Sequence, residues 1–332
     1  MVELNISKVL TPPMDKWDDI WISCDYATYF HSREWAEIWQ LYTKGFMKPS
    51  PMLVCFSDGK EVILPFSMQL RKGLVKNYFS SPEGTFGGWI SKEGLSERHI
   101  ELLIDFMMEN TKNIVWRFNP YNGYYGFEYL KNKGNYYRID DDETHVLELT
   151  EGFEDIKKKW SKGHRASFNK AKKEGVSTMV AQKQDEWDEY FNVYEDTHRR
   201  WGESAQVFYE KELFNIMYGL NSPHIKLWLA RFSNRIIAGA LCFYAKQHVV
   251  YWHGAALKDF FYLRPVNLLM ADIIKDSCEK GYRWFDFNPS GGIMGVKQFK
   301  SHFNTLVLPA PVITQKTNFI KFYILLKRIL KI

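Results

Sequence analysis

The sequence predicts an α+β protein built from two tandem copies of one domain, on three observations. The stretch Phe118-Asn-Pro-Tyr-Asn-Gly-Tyr-Tyr-Gly-Phe-Glu-Tyr-Leu-Lys131 aligns without a gap on Phe287-Asn-Pro-Ser-Gly-Gly-Ile-Met-Gly-Val-Lys-Gln-Phe-Lys300, so that Phe, Asn, Pro, two Gly and the closing Lys recur in register. Each copy follows a helical segment, 96–111 and 265–280, and each lies downstream of a hairpin-like pair of apolar runs, 51–70 and 225–244. Self-similarity at a constant offset is the signature of a duplicated unit. With 332 residues, 45% of them hydrophobic, the chain is long enough for two cores.

The elements follow in order. Ser32 caps a helix whose Trp35, Ile38, Trp39 and Tyr42 recur at helical spacing and form core. Strands 51–57 and 61–70 are joined by Asp58-Gly59, a hairpin-turn pair. A Gly- and Ser-containing loop at 80–88, helix 96–111, strand 113–118 and helix 124–132 complete the first half, and Asp140 to Glu143 form a solvated acidic turn. The second half opens on a basic island. Lys157, Lys158, Lys159, Lys162, Arg165, Lys170, Lys172 and Lys173 surround an apolar stripe of Ile156, Trp160, Phe168 and Ala171. Acids at i,i+4 are nearly absent there, which leaves polyanion binding and a solvated face as equal readings. Trp187, Tyr190, Phe191 and Tyr194 mark another amphipathic helix, ending near Trp201-Gly202. Strands 225–231, 235–244 and 248–255 form an antiparallel meander with turns at Ser233-Asn234 and Lys246-Gln247. A loop at 257–264 then leads to a helix with Pro265 at its first position, whose free N–H groups and dipole suit an anion. Strand 282–288, the glycine-rich loop 289–292 and a short helix at 295–300 close the series.

Composition excludes several classes. No run approaches the roughly 18 uninterrupted apolar residues of a membrane span, and the N-terminus lacks the basic and apolar regions of a signal peptide, so a cytoplasmic protein is expected. Cys24, Cys55, Cys242 and Cys278 are scattered and read as reduced, buried thiols. The nine histidines make no ligand pattern, so no metal is expected. The net charge of +5 resides in 312–332, where Lys316, Lys321, Lys327, Arg328 and Lys331 occur without an acid. From Asn318 onward the apolar residues fall on one side of a helical wheel and the cations on the other. That pattern fits a basic amphipathic helix on a membrane surface or a helix docked on the protein itself.

A meander, a helix, a strand, a helix and a strand is the order of the GNAT acyltransferase fold. The chain resembles the Fem-type (FemAB-like) peptidoglycan aminoacyltransferases and their acyltransferase relatives. The motifs are Trp160-Ser-Lys-Gly-His-Arg165 with Lys170-Ala-Lys-Lys-Glu-Gly175, Tyr194-Glu-Asp-Thr-His-Arg199, Gly281-Tyr-Arg-Trp-Phe-Asp286 and Phe299-Lys-Ser-His-Phe303. The resemblance covers most of the second half and, loosely, the first through His31, Ser32 and Trp35 and the repeat. It implies two tandem GNAT-like (acyl-CoA N-acyltransferase) domains, 1–145 and 146–311, the second carrying the donor, followed by the tail 312–332. Strands 248–255 and 282–288 would splay apart around the donor ester or thioester. There is no heptad arm, Asn304 stands where the family has glycine, and the Gln/Arg-x-x-Gly-x-Gly/Ala pyrophosphate signature is missing before helix 265–280. The donor therefore stays open between an acyl-CoA and an aminoacyl-tRNA, with no other cofactor.

The resemblance places Lys300 as the functional lysine, stabilising an oxyanion or a phosphate leaving group. Asp286 either orients the amine or serves as a structural carboxylate. Arg165, Lys170 and Arg264 are candidates for phosphates, with Asn267, Asn288 and Phe299 completing the donor and substrate site. Tyr251 and His253 alternate onto one face of their strand, towards the splay. No residue stands out as a general base. The implied reaction is amide formation on an amine of a small-molecule or lipid-linked cell-envelope precursor, with tRNA a partner if it carries the donor and the tail resting on the inner face of the membrane. The alternatives are a sugar-amine N-acyltransferase for surface polysaccharide and a non-catalytic nucleic-acid-binding module.

Overall fold

The computed structural model describes residues 3–71, 75–111, 113–133, 137–202 and 207–315. Packing divides the described residues into two compact units, one of residues up to 142 together with 309–315 and one of 143–308.

The first unit contains β1 (Ile6–Leu10), α1 (Met14–Ser23), α2 (Arg33–Tyr42), β2 (Met47–Pro49), β3 (Met52–Phe56), β4 (Glu61–Leu64), β5 (Ser67–Arg71), β6 (Val75–Phe79) and β7 (Phe86–Gly87). It continues through α3 (Glu97–Asn110), β8 (Ile114–Phe118), α4 (Tyr125–Asn132) and β9 (Arg138–Asp140). Ser32 caps α2 as expected, its hydroxyl accepting from the Trp35 N–H at 3.1 Å, and Trp35, Ile38 and Trp39 are buried. The single strand expected over 61–70 is two. β4 pairs with β3 in a three-stranded sheet, whereas β5 pairs with β6 in another. Pro65 lies between them, and a residue without an N–H cannot continue a ladder.

The second unit runs β10 (Glu143–Glu148), α5 (Phe153–Lys159), α6 (Lys162–Lys173), β11 (Ser177–Val180), α7 (Gln184–Trp201) and α8 (Lys211–Gly219). Then come β12 (Ile225–Phe232), β13 (Arg235–Tyr244), β14 (His248–Ala256), α9 (Pro265–Glu279), β15 (Trp284–Pro289), α10 (Met294–Ser301) and β16 (Leu306–Pro309). Its sheet has the order β11-β12-β13-β14-β15-β10-β16. On one face the apolar side of α9 (Leu268, Leu269, Ile273, Ile274) packs against Ala238, Ala240, Cys242 and Tyr244. β17 (Val312–Thr314) then returns to the sheet of the first unit, between β8 and β9. The sequence reading assigned these three residues to the tail; their backbone groups are instead taken up by Arg117, Trp116 and Val115 on one side and Asp140, Ile139 and Arg138 on the other. The amphipathic segment from Asn318 onward lies outside the described residues.

The two large sheets share a topology. β5-β6 and β13-β14 are antiparallel pairs, β8 and β15 add in parallel after α3 and α9, and β17 and β10 add antiparallel beyond them. The two repeat copies occupy the same topological place, strand end, turn, then α4 or α10. What differs is how the parallel pair ends. β14 and β15 pair from His248 opposite Trp284 to Val250 opposite Asp286 and then part. In the first unit β6 and β8 part after Phe79 and Val115, but β7 takes over the pairing at Arg117 and Phe118. A short strand thus closes the first gap; among the described residues none closes the second.

A β-bulge shapes that second gap. Leu241 lies opposite His253 and Cys242 opposite Tyr251, so Trp252 is the extra residue. Directly opposed residues share a face, and the expectation that Tyr251 and His253 share one is therefore corrected. Tyr251 packs with Cys242 in the α9-side core. His253 turns to the other face, against Tyr190 and Tyr194 of α7 and Phe214 of α8. Beside the bulge, Gly254 permits close packing: a Cβ there would sit 2.4 Å from the Tyr251 hydroxyl and 2.8 Å from the Gly239 carbonyl oxygen. The backbone neighbour cannot give way easily. Gly254→Ala is expected to destabilise the protein by about 1–3 kcal/mol, measured by denaturant unfolding; an unchanged midpoint would contradict this packing.

Candidate active site

The open gap leads into a cavity of about 580 Å³ within the second unit. The separating strands supply Tyr251, Trp252 and His253 from β14 and Phe287 and Pro289 from β15; α10 supplies Phe299 and Lys300. The start of α9 adds Arg264 and Asn267, and the end of α7 adds His198 and Arg200.

Lys300 is 3% exposed, and its Nζ donates to the Asn288 carbonyl oxygen at 2.6 Å. Asn288 adopts a left-handed backbone, φ 61°, which turns the chain sharply out of β15. Its N–H donates to Asp286 Oδ1 at 2.7 Å, and the same oxygen accepts from the Thr144 hydroxyl at 2.5 Å. Asp286 is fully buried. Lys300 faces the cavity, and Asp286 lies behind the turn that fixes it. The geometry favours the structural alternative for Asp286: it holds the strained turn, and the turn holds the lysine. The equivalent place in the first unit carries no such device, since Asn119 hydrogen-bonds the Tyr26 carbonyl and Lys131 is exposed.

His253 Nδ1 lies 3.2 Å from the Tyr190 hydroxyl. Burial lowers the imidazole pKa to about 3, so the ring is neutral at physiological pH. Burial raises the Tyr251 phenol in turn. His164 of α6, against Phe299 and Phe303, is lowered to about 4, mainly by burial and then by His302. These shifts carry a pH dependence of stability. A folded-state pKa below the ordinary 6.5 means that the unfolded chain takes up the proton first. Stability therefore falls as pH drops from about 6.5 towards 4, by up to about 1.4 kcal/mol per pH unit for each of the two histidines. Denaturant midpoints between pH 7 and 4 measure this, and His164→Phe should flatten the slope.

Arg264 occupies the N-cap of α9 with φ 59° and is exposed, its guanidinium without a hydrogen-bond or ion-pair partner among the described residues. The helix start offers few backbone donors. Pro265 has none, and the Asn267 N–H goes to the Arg264 carbonyl at 3.2 Å, leaving Val266 alone among the first three residues.

Arg165 and Lys170 are not brought into the cavity. Arg165 Nη1 donates to the Lys158 carbonyl at 2.8 Å and to the Trp160 carbonyl, fastening the end of α5 to α6, and Lys170 is exposed on α6. The basic island also has acidic partners after all: Lys157 pairs with Glu154 at 2.6 Å, Lys158 with Asp155 at 2.7 Å and Lys159 with Glu151. The i,i+4 search missed them because two stand at i−3 and one on the preceding turn. We expect the Arg165→Ala, Lys170→Ala double variant to leave ligand affinity in the cavity and its salt dependence unchanged, while losing about 0.5–1.5 kcal/mol of stability. A weakened salt dependence would return the island to ligand binding.

Residues that sequence reasoning missed include Arg200, next to the motif ending at Arg199. Its Nη1 donates to the Ala256 carbonyl at 3.2 Å and its guanidinium lies over Phe261 at 4.9 Å. Trp252 was missed because a bulge leaves no mark in alternation, and Thr144 because nothing local links it to Asp286.

Residues 158–301 match the family described as Acetyltransferase (GNAT) domain. A search among curated protein sequences finds no match. Among solved structures, FemX aligns with a TM-score of 0.73 at 12% identity, over 96% of this chain and 99% of its own. The C-terminal domain of a putative lysylphosphatidylglycerol synthetase from Agrobacterium fabrum aligns with a TM-score of 0.59 at 13% identity, over 94% of each chain. L-PGS from Bacillus licheniformis aligns at 0.52 and 13% identity, over 82% of this chain and 86% of its own. The fold is thus shared across both units with FemX.

Proposed function

We propose that this chain, a GNAT-type transferase with the fold of FemX, forms an amide bond between an activated acyl or aminoacyl group and an amine of a cell-envelope precursor. One observation carries the reading: the strand pair β14/β15 opens, where its counterpart is closed, onto a cavity that presents a buried lysine. The donor carbonyl enters between the separating strands, and Lys300 meets the negative charge that develops on the carbonyl oxygen or on the leaving group.

The start of α9 bears on the donor. One free amide in the first three residues is a poor cradle for a diphosphate, so an aminoacyl ester suits the site better than an acyl-CoA. The likeness to the domain of a putative lysylphosphatidylglycerol synthetase supports a lipid-borne acceptor. Membrane contact through 318–332 is part of this proposal. Among the described residues no helix is long and apolar enough to cross a membrane.

The test incubates the full chain with charged tRNAs or acyl-CoAs and with an amine-bearing envelope-lipid or precursor fraction, and follows acceptor masses. An increment equal to one aminoacyl or acyl residue is expected; transfer to a sugar amine would favour the polysaccharide alternative. No transfer from either donor class would overturn the proposal. Flotation with anionic liposomes, comparing the full chain with one ended at Thr317, separates tail-borne membrane contact from its absence.

A further inference from the structure

Large apolar side chains that the second unit leaves in water gather around the mouth of its cavity. Trp201 ends α7, Val207 precedes α8, and Phe261 lies in the short 3-10 helix Lys258–Leu263; all three line the cavity and are exposed. Three more exposed side chains stand beside lining residues. Phe208 has its ring 4.7 Å from that of His198, Tyr262 follows Phe261, and Met294 sits between Ile293 and Gly295. Among the described residues of this unit, only Leu306 and Val307 are other large apolar side chains so exposed. Single apolar residues on a surface are ordinary, whereas a cluster drawn from separate parts of the chain marks an interaction site. Their burial contributes nothing to the fold, because the fold does not cover them.

Whatever covers this rim must leave the cavity supplied with substrate. A protein seated on it would seal the mouth; a lipid surface covers the rim and presents its own headgroups to the opening. The side-chain types agree, since Trp and Tyr are the residues enriched where hydrocarbon meets water. The charges lean the same way. Exposed Arg199, Lys258 and Arg264 stand in the rim segments against exposed Glu210 and Asp259, while Arg200 is offset by Asp196 at 4.0 Å. We propose that the cavity mouth docks on an anionic lipid surface. Its apolar side chains enter the headgroup–acyl boundary, and an amine-bearing headgroup reaches into the cavity while its chains stay in the bilayer. This membrane contact is separate from any made by the tail, and it aims the opening between β14 and β15 at lipid-borne acceptors.

This inference rests on the transferase reading for its purpose, but its test needs no turnover. The full chain is titrated with phosphatidylcholine–phosphatidylglycerol vesicles and its partition coefficient is read by flotation. Tyr262 and Met294 are 55% and 66% exposed and do not line the cavity, so glutamates there disturb neither core nor site. The Tyr262→Glu, Met294→Glu double variant should lower the coefficient at least about tenfold. Each substitution is also measured singly, so that a folding defect in one leaves the other. Whatever 316–332 contributes is common to every variant, and the difference reads the rim. As a control, Met14→Glu with Ile22→Glu removes side chains 68% and 59% exposed on the first unit and should change the coefficient little. An unchanged coefficient in the rim variants, or an equal fall in the control, would overturn the inference. So would a wild-type dimer, seen by size-exclusion chromatography, that the rim variants dissolve without any vesicle binding; the rim would then belong to a second copy of the chain. Rim-dependent partition in a protein without transfer activity would instead remove only the functional reading.

Discussion

Lys300→Ala is expected to lower turnover by about 10²–10³-fold, the scale of losing one donor to a developing oxyanion. The lysine is buried, its Nζ satisfies the Asn288 carbonyl, and its stem reaches the cavity from α10. Removal also leaves that carbonyl orphaned, so stability should fall by about 1–3 kcal/mol, and rates must be compared on fully folded protein. Lys300→Arg tests the charge separately. It keeps a cation but not the compact ammonium, and should recover less than a tenth of the activity if geometry at Asn288 matters. Unaltered turnover in Lys300→Ala would remove Lys300 from the reaction.

The second large effect belongs to Asp286. Asp286→Ala strips an acceptor from two donors, the Asn288 N–H and the Thr144 hydroxyl. At about 1–3 kcal/mol for each orphaned donor, the loss is a sizeable part of a typical domain's stability of about 5–15 kcal/mol. Asn288 should then relax from its left-handed conformation and carry Lys300 with it, so kcat falls in whatever fraction stays folded. Asp286→Asn retains one acceptor oxygen and should be milder in stability. If the carboxylate instead oriented the amine directly, Asp286→Asn would abolish activity with little change in unfolding midpoint. The two measurements together separate positioning from contact.

The architecture was readable from the sequence because its signals are local and repeated. The gapless match of 118–131 with 287–300, the capped helix at Ser32 and the meander at 225–255 depend on spacing alone, and the structure has strands and helices at each. Lys300 and Phe299 followed from a short motif, and Arg264 and Asn267 from a proline-started helix; all four line the cavity. Features set by long-range contact were not readable. The exchange of β4 and β5 between sheets needs both partners to be known. β17 lies far along the chain from β8 and β9, and nothing in Val312–Thr314 announces where it pairs. The bulge at Trp252 separates Tyr251 from His253 although simple alternation unites them. Arg165 illustrates the opposite error. Its charge suggested phosphate, but its guanidinium is committed to backbone carbonyls at the end of α5.

The central claim is that the gap between β14 and β15 receives the donor. A crystal structure of the full chain with a non-hydrolysable amide analogue of the aminoacyl ester tests it most directly. The expected density places the acyl carbonyl beyond Val250 and Asp286, where the strands part, with its oxygen towards Lys300. Density at the β6/β8 end of the first unit, with the β14/β15 gap empty, would contradict the account.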